Sequence, residues 1–133
     1  MIDKNSVKKI LVIKLRGMGD VVLSTVVIPN LKKDFPEAKI DFITEKPSHL
    51  FLANNTLINK IILFDRKSLR ARLKLLSKVH SAKYDLVLDL FSNPASALMT
   101  FCSRSKYRAG FPYRGRKYAY NLYGPAERDK YHS

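Results

Sequence analysis

The chain has 133 residues, 46% of them hydrophobic, and a formal net charge of +14. That length fits one compact domain with a real core and is too short for two full-sized ones. No run of about 18 uncharged apolar residues exists to span a bilayer, and Met1 to Ser6 lacks the apolar stretch of a secretory signal. The single cysteine, Cys102, has no internal disulfide partner and suits a reducing compartment. A cytoplasmic protein is expected, with anionic partners drawn to the basic surface: nucleic acid, acidic lipid headgroups, or phosphorylated sugars and nucleotides.

The elements alternate from the start. Lys8 to Leu15 reads as a buried strand, apolar nearly throughout as parallel strands are. A helical pattern runs from Gly19 to Asp34, with a kink or early break expected at Pro29. Ala38 to Thr44 reads as a second strand, Pro47 to Ala53 as a short helix, and Asn54-Asn55 as a turn. Asn59 to Phe64 gives a third strand. The helix from Ser68 to Ser81 follows, with Leu69, Leu73, Leu76 and Val79 as its expected apolar face. Its outer face holds Arg70, Arg72, Lys74 and Lys78. Tyr84 to Leu90 is a fourth strand. Ser92-Asn93-Pro94 then looks like a helix cap opening Ala95 to Cys102, and Tyr107 to Phe111 is a short fifth strand.

Strands alternating with helices build a parallel sheet, and right-handed crossovers leave few topologies. The expected fold is α/β: a doubly wound, Rossmann-like parallel sheet of order 3-2-1-4-5 over residues 1–111, with its switch point between strands one and four. Residues 112–133 form a basic, Tyr-rich extension with no sustained apolar period.

Ligands of open α/β sheets bind at the carboxyl ends of the strands, near the switch point. The turn Lys14-Leu15-Arg16-Gly17-Met18-Gly19-Asp20 falls there. Gly17 and Gly19 match the first two glycines of a dinucleotide loop. Val22 takes the third position, where close helix–strand packing calls for glycine. Glu45, at the end of strand two, is near where a ribose-binding acid would stand. Asp20 at a helix mouth is favoured in its charged form. It suits either a general base facing a cleft or a simple helix cap. Asp89 either faces the cleft or bonds to backbone.

The three histidines are scattered and no metal-ligand spacing occurs. Cys102, in an apolar helix without a neighbouring His, reads as a buried structural thiol. Arg104, Lys106, Arg108, Arg114, Arg116 and Lys117 interleave with Tyr107, Tyr113, Tyr118, Tyr120 and Tyr123. Such a mixture serves nucleic-acid or sugar-phosphate binding equally well.

Several segments, in this order, resemble the ADP-heptose:lipopolysaccharide heptosyltransferase family, glycosyltransferase family 9. They are Ile10 to Leu15, Met18 to Thr25, Phe35 to Ile40, Tyr84 to Leu90 and Arg108 to Phe111. The resemblance implies the N-terminal, acceptor-side half of a two-domain GT-B enzyme performing inverting, metal-independent transfer of heptose to the lipopolysaccharide inner core. It implies Asp20 as the general base. Lys14, Arg16, Gly17, Met18, Gly19, Thr25, Asn93, Arg114, Arg116 and Lys117 are the candidate acceptor-binding residues. No cofactor is expected, since ADP-heptose would bind mainly the C-terminal half, which this sequence lacks; the domain is expected to be inactive alone. The phosphorylated, carboxylated acceptor accounts for the positive charge, and peripheral contact with an anionic membrane follows from it. The family usually has Pro after the residue matching Thr25, where this chain has Val26. The rival readings are a stand-alone basic module binding nucleic acid or anionic glycans, and a dinucleotide-binding domain.

Overall fold

A computed structural model describes residues 7–15, 27–46, 49–65, 67–90, 94–110, 119 and 121–123. Its strands are β1 (Lys9–Ile13), β2 (Lys39–Thr44), β3 (Ile58–Leu63), β4 (Leu86–Asp89), β5 (Tyr107–Gly110) and β6 (Leu122–Tyr123). The helices are α1 (Ile28–Asp34), α2 (His49–Leu52), α3 (Leu69–Ala82) and α4 (Pro94–Cys102). All strand pairs are parallel and the order is β3-β2-β1-β4-β5-β6.

The five-strand order read from the sequence is present, with one strand more. The addition comes from the segment read as patternless. β6 is only two residues long, too short for periodicity to register. Asn121 makes the join: its Oδ1 accepts from the Arg108 backbone N–H at 2.6 Å and its Nδ2 donates to the Lys106 carbonyl at 2.7 Å. Its own N–H donates to the Arg108 carbonyl at 2.9 Å. One side chain thus supplies ladder bonds to the otherwise open edge of β5.

Alternation along β1 explains the two cores. Ile10 and Val12 join Ile28, Phe35, Ile40, Phe42 and Leu52 on one face, beneath α1 and α2. Leu11 and Ile13 join Ile43, Leu75, Val79, Val87 and Met99 on the other, beneath α3 and α4. β1 is buried on both faces, which is why it carries no polar alternation. The chain leaves β1 toward β2 over one face and β4 toward β5 over the other. Reversing direction and face together keeps the crossover hand the same. The switch point therefore lies between β1 and β4.

α3 departs from its expected face. Ser68 caps it, accepting from the Ala71 N–H at 3.0 Å, and Lys83 closes it in the left-handed region at φ 54°. Leu75 and Val79 are the buried residues, whereas Leu69 and Leu73 are 63% and 57% exposed. The helix has two apolar rows, and periodicity alone cannot say which one meets the sheet. Pro29 lies in the first turn of α1, where its missing N–H breaks no helical bond. The part of that expected helix before residue 27 lies outside the described residues.

The amino edge of the sheet is closed by polar contacts. Asp85 Oδ2 accepts the N–H groups of Lys8 and Lys9 at 2.8 and 3.0 Å. The β2–β3 register slips between Ile40 and Asp41, leaving Asn59 as the extra residue. Its Nδ2 donates to Asp41 Oδ1 at 2.9 Å, while the Tyr84 hydroxyl donates to Oδ2 at 2.6 Å. Burial and the adjacent Asp41 carboxylate push the Tyr84 phenol well above its ordinary range.

Candidate active site

The main chain fixes the carboxyl rim around β1. Beyond Ile13 the ladder continues: Lys14 N–H donates to the Ile43 carbonyl at 3.1 Å, and Glu45 N–H to the Leu15 carbonyl at 2.8 Å. The Thr44 hydroxyl reaches the same Leu15 carbonyl at 3.2 Å. On the β4 side, Leu90 N–H donates to the Ile13 carbonyl at 2.9 Å. The stem from which the Lys14–Asp20 turn departs is thus held from both neighbouring strands, on the switch-point side of the sheet.

Two carboxylates flank this stem. Asp89 ends β4 level with Ile13 and Gly110 and is fully buried; Glu45 follows β2 and is 7% exposed. Each makes a polar or electrostatic contact within the fold, as buried carboxylates must. Asp89 is therefore set into the sheet rather than exposed on its lip. Half-buried Lys14, also engaged in a contact, is the one proposed acceptor residue among the described ones. Asp20, Arg16, Gly17, Met18, Gly19, Thr25, Asn93, Arg114, Arg116 and Lys117 lie outside them. Thr44 and Glu45 are rim residues absent from the expected acceptor set, Glu45 having been weighed only as a ribose-binding acid. Their signal was their place at the end of strand two, beside the outlet of strand one.

The tail cations divide once the fold is known. The Arg108 guanidinium donates from Nε to the Ala119 carbonyl at 2.9 Å and from Nη1 to the Ser105 carbonyl at 2.8 Å, tying β5 to the β6 segment. Arg104 stands over Phe101 at 5.5 Å and Lys106 over Tyr107 at 5.3 Å, packing on rings of their own chain. Cys102 is half-buried rather than buried. His80 lies beside it, but His80 Nδ1 is 3.0 Å from the Cys102 carbonyl oxygen. That contact gives the thiol no base. The cavity between α3 and α4, about 340 Å³, is lined by Leu76, Ser77, His80, Phe101, Cys102 and Arg104. Among the described residues, no three His, Cys, Asp or Glu side chains are grouped to hold a metal ion, and no helix is long and apolar enough to cross a membrane.

The fold and its rim define a class: a Rossmann-like, doubly wound domain of the kind that forms one half of a GT-B glycosyltransferase. No family model matches the chain. It is 30% identical over 121 residues to lipopolysaccharide heptosyltransferase 1 of Campylobacter coli, covering 86% of this chain and 34% of that protein. It is 29% identical over 112 residues to lipopolysaccharide heptosyltransferase 3 of Escherichia coli, covering 80% and 33%. Among solved structures, the E. coli ADP-heptose lipopolysaccharide heptosyltransferase II superposes with a TM-score of 0.72 at 25% identity, over 86% of this chain and 34% of that one. A glycosyl transferase family 9 protein from Veillonella parvula superposes at 0.69 and 22% identity, over 84% and 33%. The chain thus spans about a third of the length of the curated relatives it matches. These likenesses bear out the resemblance to the family 9 heptosyltransferases and favour it over the nucleic-acid and dinucleotide readings.

Proposed function

We propose that this chain is the acceptor-side domain of a glycosyltransferase that moves heptose from ADP-heptose to the lipopolysaccharide inner core. The observation that carries the reading is the coincidence of two features at one place. The segments that resemble family 9 heptosyltransferases include the Gly-Asp turn, and the Lys14-Leu15 stem that leads into it leaves the sheet at the switch point, where open α/β sheets bind ligands.

In this reading Asp20 is the general base. Its carboxylate accepts the proton of an acceptor hydroxyl as that oxygen attacks the anomeric carbon of the donor sugar. The bond to the diphosphate breaks on the opposite side of the ring, so configuration inverts and ADP departs. A general base of this kind contributes about 10²- to 10⁴-fold in rate. Metal independence is part of the proposal, taken from the resemblance. Lys14, Arg16, Arg114, Arg116 and Lys117 supply cationic donors for phosphate and carboxylate groups of the acceptor. Gly17, Met18, Gly19, Thr25 and Asn93 line its approach. The donor belongs to a second domain, following the 112–133 segment, so the chain alone binds acceptor without turnover. A cytoplasmic location at the inner membrane face follows from such an acceptor.

Thermal unfolding of the chain tests this. Inner-core oligosaccharide is expected to raise the midpoint, whereas NAD and ADP-heptose are expected to leave it unchanged. A rise with single-stranded DNA at physiological salt and none with oligosaccharide overturns the reading.

A further inference from the structure

Three rows of side chains run along α3. At 3.6 residues per turn, Leu75 and Val79 form the row that meets the sheet. Leu69, Leu73 and Leu76 stand roughly a third of a turn away, and Arg70, Lys74 and Lys78 about a third of a turn further. The first row is buried. Of the second, Leu69 and Leu73 are 63% and 57% exposed. All three cations of the third are exposed. From residue 66 to 82 the sequence holds six Lys or Arg and no Asp or Glu.

We infer that this outer surface of α3 docks on an anionic lipid bilayer. Two exposed leucines one turn apart gain free energy only by leaving water, and an acid-free row of cations gains by approaching fixed negative charge. A nucleic acid satisfies the cations and leaves the leucines wet. A second copy of this chain brings leucines but meets cations with cations. A bilayer with acidic headgroups offers both phases at the spacing of one helix face. With 14 residues, α3 is about 21 Å long and lies in the interface rather than crossing it. Its buried row anchors it to the sheet, so docking brings the folded domain along.

The position of the patch adds a constraint. α3 starts just beyond the carboxyl end of β3, so its exposed leucines occupy the two turns nearest the rim that carries Lys14. This deepens the acceptor reading, because a lipid-linked acceptor would lie in the bilayer that α3 touches. The assay below contains neither acceptor nor donor, so either idea can fail alone.

Co-sedimentation of the 133-residue chain with phosphatidylcholine vesicles, with and without phosphatidylglycerol, tests the surface. Binding is expected only to the anionic vesicles and to weaken with salt. Leu69→Ser with Leu73→Ser is expected to reduce it about tenfold or more, and Arg70→Gln with Lys74→Gln by a similar factor. Lys83→Gln with Lys106→Gln removes the same charge at the opposite edge and is expected to change binding less than twofold. Circular dichroism melts establish that each variant is folded, and single Leu73→Gln serves if the leucine pair is not. Leucine variants that bind as the parent does overturn the proposal. So does an equal loss from the opposite-edge pair. It is also overturned by a dimer that the leucine changes dissociate while vesicles go unbound, or by single-stranded DNA binding in place of vesicles.

Discussion

The two ends of the parallel strands are closed by different parts of the chain. At the amino edge, Asp85 is committed to two backbone N–H groups and Asp41 to Asn59 and Tyr84. Lys9 donates to the Ala82 carbonyl at the end of α3 and lies 5.3 Å from the Tyr84 ring centre. These charges close the fold. At the carboxyl edge the main chain does the closing, through Lys14, Leu15, Glu45 and Leu90. A parallel sheet brings its loops with potential ligands to one rim, and that asymmetry makes the amino rim the place to secure.

The sharpest way to break this comparison is Asp20→Ala in the enzyme completed by its donor-binding half. Transfer is expected to fall by about 10²- to 10⁴-fold with the melting midpoint unchanged. Turnover near that of the parent would remove Asp20 from catalysis. Between the rims, Leu75→Ala is expected to cost about 2–5 kcal/mol in urea unfolding, because it empties the packed row of α3. Leu73→Ala, in the exposed row, is expected to stay within about 0.5 kcal/mol. Equal costs would mean that α3 is rotated about its axis.

Tyr84→Phe probes the amino rim. It deprives the buried Asp41 carboxylate of a donor and is expected to cost about 1–3 kcal/mol while leaving acceptor protection intact. The same hydroxyl sets an alkaline limit. Its folded pKa lies above the ordinary value of 10.0, raised by burial and by Asp41. Its stabilisation is therefore complete below about pH 10 and declines as pH rises toward the folded value. Tyr84→Phe should flatten that decline in a stability–pH series. The smallest effect is expected from Glu37→Gln. The Lys8 ammonium, hydrogen-bonding to it, holds the Glu37 carboxyl below its usual value, but the pair is solvent-exposed. No shift in the melting midpoint is expected at pH 7.

Legibility in the sequence followed burial. Beyond Lys9, β1 is a continuous apolar run because both of its faces are covered, so its place at the sheet centre could be read directly. The bulge at Asn59 could not, because it depends on the distant Asp41. Nor could β6, whose pairing rests on one asparagine bonding across to β5. For the site, the switch-point stem Lys14-Leu15 was legible from strand order, whereas the Gly-Asp turn beyond it lies outside the described residues. Thr44 emerged as a rim residue only when β2 was laid beside β1, whereas Glu45 had already been placed at the end of strand two. Arg108 shows the reverse error: among tyrosines and cations it resembles an anion ligand, yet two backbone carbonyls claim its guanidinium.

By itself, the sequence determined the α/β class, the strand order through β5 and the resemblance to family 9 heptosyltransferases. Each of these is written in local periodicity, chain order and short motifs. Tertiary structure alone decided which leucine row of α3 meets the sheet, which carboxylates are consumed at the amino edge, and how the open edge of β5 is covered. Those outcomes depend on partners tens of residues away, and helical or strand periodicity says that a face exists without saying what will cover it.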